Sequence, residues 1–165
     1  MKKYFTYELK RNLLPLAVFT AIACLICAIF GATSYIVSTY NGTVRAVNSV
    51  IGAPTAILCI LCTIVPVMQF SYRMETRSAD LWLSLPVKRE KQLLVRLLVG
   101  LLLAFIPYTA AYWVQFFILL CRENAFDLIH YLSYYAASLP LGALLFGVNS
   151  FVFSRANTVW DGLAF

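Results

Sequence analysis

The residues best suited by type and spacing to chemistry are two Cys-x-x-Cys pairs, Cys24/Cys27 and Cys59/Cys62. In a soluble domain, four thiolates so spaced build a zinc ribbon. Here both pairs fall inside long apolar runs. Four thiolates there would be very costly without charge partners, whereas cysteine as a small apolar residue packs readily. The expectation is no metal, with Cys121 a lone thiol. Gly142 and Gly147 are spaced as in a phosphate-binding loop, but such a loop needs Lys and then Ser or Thr next. Val148 and Asn149 stand there instead, so no ATPase motif is present. Asp161-Gly162 opens an Asp-Gly-x-x-Ala-Arg pattern for phosphoalcohol transfer, and Phe165 breaks it. His130 is the only histidine and has no serine–acid pair at a useful spacing. The sequence therefore predicts no catalytic residue and no cofactor.

The elements that carry these residues are membrane helices. Of 165 residues, 62% are hydrophobic and 12% charged, with a mean hydropathy of +0.81. Soluble domains carry about 25% charged residues. The net charge of +6 is not a nucleic-acid signal, because the cations flank apolar runs and do not line one soluble face. The apolar runs predict spans at 13–38, 50–71, 93–120 and 132–153. Pro54 and Pro66 interrupt the second, and Pro107 the third. Arg96 is expected to snorkel to the headgroups from the first turn of span three. Gln115 is expected near the opposite interface. Ala143-x-x-x-Gly147 has the spacing of a close helix contact, and Asn149 is placed to hydrogen-bond to a neighbouring helix.

Eleven of the thirteen cations precede span one, surround the stretch between spans two and three, or follow span four. Only Arg45 and Arg122 lie in the other two connections. The positive-inside rule then puts both termini and the central stretch in the cytoplasm. Lys2, Lys3, Lys10, Arg11, Lys88, Arg89, Lys91 and Arg96 are the predicted membrane-interface basic residues. Residues 1–12 are either a topogenic charged tail or an interfacial helix, with Met1, Tyr4, Phe5 and Leu9 on one side and Tyr4 and Phe5 at headgroup depth. Glu8 and Asn12 intrude on that side. Asn41-Gly42 reads as a tight turn.

Residues 72–92 are the one long polar island. Met74, Ser78, Leu81 and Leu85 recur at spacings of four, three and four, with Trp82 beside them, which predicts a short amphipathic helix over 74–85 ended by Pro86. It is either a docking helix for a soluble protein or a connector, and the residues themselves leave both open.

Glu75, the run Asp80 to Glu90 with Ser84-Leu85-Pro86 and Arg89, and the apolar run from Leu93 resemble the first cytoplasmic loop of ABC-2 type transporter permeases. The resemblance covers the interfacial helix and the four spans. It implies an all-α integral membrane protein of the bacterial plasma membrane, with 1–12 as an elbow helix and 74–85 as a coupling helix. It also implies a separate cytoplasmic ABC ATPase subunit as partner, a second permease protomer and surrounding membrane lipid. Permeases of that family have more spans than the four present here, so the chain reads as a fragment or a smaller relative. A non-transport membrane scaffold that recruits a soluble protein through 72–92 is the alternative.

Overall fold

The computed structural model describes residues 2–33, 46–71, 89–121 and 128–156. The described residues form five helices: α1 (Lys2–Arg11), α2 (Leu13–Thr33), α3 (Ala46–Phe70), α4 (Arg89–Leu120) and α5 (Leu128–Arg155). The last four are each long and apolar enough to cross a membrane, which makes this a multi-pass membrane protein. The segment 74–85 lies outside the described residues.

α1 and α2 are nearly one helix. The Asn12 and Leu16 amides donate to the Glu8 and Asn12 carbonyls, at 3.1 and 3.0 Å, so the helical pattern spans the junction. Pro15 breaks it, since its ring crowds the carbonyl four residues back, at Arg11. The Asn12 side-chain amide turns back onto the Glu8 carbonyl at 2.8 Å. α4 has 32 residues, hence a length of about 48 Å against about 30 Å of hydrocarbon. It starts at Arg89, four residues before the apolar run, because hydropathy marks the lipid core and not the helix end. α3 and α5 likewise start before their apolar runs, at Ala46 and Leu128.

The chain runs up and down. Glu8 lies against Arg96 and Gly31 against Ile118, so α2 and α4 run the same way. Arg96 meets Gln69, and Tyr112 meets Tyr131, so α3 and α5 both run antiparallel to α4. α2 packs mainly on α4, and α3 packs on α5 and α4. Leu58, Leu61, Cys62 and Val65 of α3 form the core with Val99, Leu103, Tyr108 and Ala111 of α4, Ala23 and Cys27 of α2, and Phe146 of α5. Leu14, Val18, Ile22, Leu25 and Ile29 on the outer face of α2 are exposed. In a bilayer that face is a lipid surface.

Close packing between helices rests on Gly100 and Gly142. A Cβ on Gly142 would stand 2.9 Å from Leu58 Cδ2, and one on Gly100 would stand 2.8 Å from Phe146 Cζ. The predicted pair Ala143/Gly147 is not the contact. Both residues are exposed, and a Cβ on Gly147 would meet open space. The tight seam is one residue earlier, because one residue rotates the face by about 100°. Asn149 does as expected: its amide donates to the Cys62 carbonyl at 3.0 Å. Cys62 Sγ in turn donates to the Gly142 carbonyl at 3.4 Å. Cys27 is buried in the core and Cys59 is exposed.

Candidate functional site

Ionisable groups buried at membrane depth are expensive, so they mark candidate sites. The chain buries a carboxylate and a guanidinium together where α1, the last turn of α3 and the first turns of α4 meet. Glu8 is fully buried and Arg96 is 1% exposed. Arg96 Nη2 stands 3.6 Å from Glu8 Oε1, and Arg96 Nη1 donates to the Gln69 carbonyl at 3.2 Å. Arg11, on the next turn of α1, reaches Glu8 Oε2 at 3.0 Å and keeps part of its side chain exposed. Tyr4 donates to Glu8 Oε1 at 3.2 Å. Burial pushes the Tyr4 hydroxyl above its ordinary pKa, against the pull of Arg96. It is therefore a neutral donor at physiological pH. The group carries two positive charges and one negative.

Backbone geometry explains the placement. Tyr4, Glu8 and Arg11 recur at spacings of four and three, so they share one face of α1. The Gln69 carbonyl is among the last four of α3, which have no intrahelical donor, and the Arg96 guanidinium caps it. Gln69 itself is 4% exposed, and its side-chain oxygen accepts no hydrogen bond among the described residues.

One expectation is corrected here. Arg96 does not snorkel. Its side chain turns into the protein, because a carboxylate and a helix-terminal carbonyl are both within reach there. Tyr4 and Phe5 pack against the bundle core. Lys10, Arg11 and Lys91 are exposed. The side chains of Lys2, Lys3 and Arg89 lie outside the description, and so do residues Lys88, Met74, Ser78, Leu81, Trp82 and Leu85.

Glu8 and Gln69 are the residues that sequence reasoning missed as partners of Arg96. The signal existed: Glu8 is an acid on the apolar side of α1, and Arg96 is a cation inside an apolar run.

At the other end of the bundle, the buried tyrosine hydroxyls find uncharged partners among the described residues. Tyr112 Oη donates to the Tyr131 carbonyl at 2.6 Å, and Tyr131 Oη donates to the Tyr112 carbonyl at 3.2 Å. Their ring centroids are 4.3 Å apart. Ser138 gives its proton to the Tyr135 carbonyl at 2.8 Å, which leaves Tyr108 as donor in the Tyr108–Ser138 hydrogen bond. Gln115 is fully buried beside Gly31 of α2. Among the described residues no three His, Cys, Asp or Glu converge as a metal site. No protein-family model, curated protein or solved structure matches the chain.

Proposed function

We propose that the chain is the membrane-spanning permease subunit, or part of one, of an ATP-driven transporter in a bacterial plasma membrane, with both termini and residues 72–92 in the cytoplasm. One observation carries the reading. The polar stretch leaves α3 and enters α4 at the end of the bundle where α1 docks, and Arg96 bonds both neighbours. A push on 74–85 acts on the first turns of α4. Through Arg96 it acts also on α1 and on the end of α3.

In this reading a cytoplasmic ATPase subunit closes on ATP and presses on Met74–Leu85, with Leu81, Trp82 and Leu85 as apolar anchors. The chain supplies no hydrolytic residue of its own. Two protomers enclose the path. Interfaces of this kind concentrate their energy in a few aromatic and aliphatic residues, so loss of Trp82 alone weakens association by about 2 kcal/mol or more.

The double variant Leu81→Asp/Trp82→Asp tests this. It should insert normally, because the segment never enters lipid, yet lose co-purification of the ATPase and the hydrolysis that depends on it. A variant that keeps a fully coupled ATPase sinks the permease reading. Loss of some other soluble protein would favour the scaffold. Labelling of a cysteine at position 82 from outside intact cells would overturn the orientation.

A further inference from the structure

Among the cations whose side chains are described, only Arg96 is buried. A cation so placed needs an anion beside it, because desolvation of an unmatched charge is severe. Among the described residues that anion is Glu8, from outside the four-span bundle, on the ten-residue helix α1. The two ion pairs of Glu8 are unequal: 3.0 Å to Arg11 on its own helix and 3.6 Å to Arg96. If α1 lifts, Glu8 leaves with its charge still matched by Arg11. Arg96 stays behind, held by the Gln69 carbonyl, and a vacant anion position opens at the membrane surface. The anion present at that depth is the phosphate of a phospholipid. Gln69 adds a buried acceptor oxygen, with no donor among the described residues, on the residue that anchors Arg96.

We propose that Arg96 and Gln69 form a binding site for the headgroup of an anionic phospholipid, and that Glu8 occupies the phosphate position as an internal competitor until α1 lifts. The phosphate takes the place of the Glu8 carboxylate on the guanidinium, whose planar fork suits it. A headgroup hydroxyl serves the Gln69 oxygen. The site does not depend on the transporter reading, since it uses only α1, α3 and α4.

The test uses the full chain in phosphatidylcholine nanodiscs doped with photoactivatable phosphatidylglycerol, with cross-linked peptides from α4 counted by mass spectrometry. Glu8→Gln removes the competitor and should raise cross-linking about fivefold, the effect of one charge near an anionic lipid. Glu8→Gln/Arg96→Gln leaves a neutral pair and should return the signal to the wild-type level or below. An unchanged signal in Glu8→Gln overturns the proposal, and so does a gain that survives Arg96→Gln. Should the double variant fail to insert, Glu8→Gln/Arg96→Lys keeps the charge without the fork, and undiminished cross-linking there is equally fatal. Inorganic phosphate should not compete at comparable concentration. If it does, the site takes a free anion and the lipid assignment is wrong.

Discussion

The two ends of the bundle bury polar groups in opposite ways. At the α1 end, Glu8, Arg96 and the Gln69 carbonyl meet from three helices, and a full charge balances a full charge. At the other end, Tyr112 and Tyr131 bond each other's backbones, and Tyr108 bonds Ser138, with no ion involved. The tyrosine end joins two antiparallel neighbours, α4 and α5, and every hydroxyl named has a partner within that pair. The charged end depends on a helix outside the bundle. Removing one tyrosine oxygen leaves a carbonyl that its own helix also serves. Removing the Glu8 carboxylate leaves the buried Arg96 without its counter-charge. The first arrangement suits a fixed joint, and the second suits a contact that can be exchanged.

The sharpest way to break this comparison is to strand a charge. Glu8→Ala leaves Arg96 without its carboxylate and should destabilise the folded protein by about 3–5 kcal/mol. Arg96→Ala leaves Glu8 matched by Arg11 at 3.0 Å and hydrogen-bonded by Tyr4, so it should cost less. Glu8→Gln/Arg96→Gln removes both charges and should cost much less than the sum of the single changes, since replacing a whole buried pair is often near neutral. Unfolding in mixed micelles of mild detergent and dodecyl sulfate measures all of these. Additive losses would mean that the two side chains do not interact.

Much of the fold was legible, and the rest failed for identifiable reasons. Four apolar runs separated by charge announce four spans, because lipid forces the backbone to satisfy itself in helices. The helix ends were not legible, because α4 already begins at Arg89–Gln92, before the apolar run starts. Glu8 and Arg96 each break an apolar pattern, and each has a local explanation when taken alone. Their pairing spans 88 positions of sequence, and no periodicity carries that information. Asn149 was legible because a polar amide inside an apolar helix must find a helix neighbour. The Ala143/Gly147 spacing misled because the motif states a separation and not a face.

The seam between the two ends gives an intermediate effect. Gly142→Leu would drive a side chain into Leu58, which is fully buried, and should cost about 1–3 kcal/mol in the same unfolding measurement. Gly147→Ala enters open space on the same helix and should be neutral, or stabilising by up to about 1 kcal/mol. If Gly147→Ala were the damaging change, the helix face assigned to the α3–α5 contact would be wrong.

The smallest effect belongs to the tyrosine end, and it tests whether that end is a fixed joint. Tyr112→Phe and Tyr131→Phe each delete one hydrogen bond and keep the ring. Hydrogen bonds between membrane helices average about 0.6 kcal/mol, so each change should cost roughly 1 kcal/mol or less. The rings stay in contact in both variants, because their tilted 4.3 Å approach does not require the hydroxyls. The two bonds share one pair of backbones, so they restrain the same motion of α5 against α4. The double variant should therefore lose more than the sum of the singles, as the first bond lost leaves the second to hold the register by itself. The same double change should leave phosphatidylglycerol cross-linking at Arg96 unchanged. If instead it altered that signal as strongly as Glu8→Gln does, the two ends would be coupled through α4, and the contrast between a fixed joint and an exchangeable one would fail.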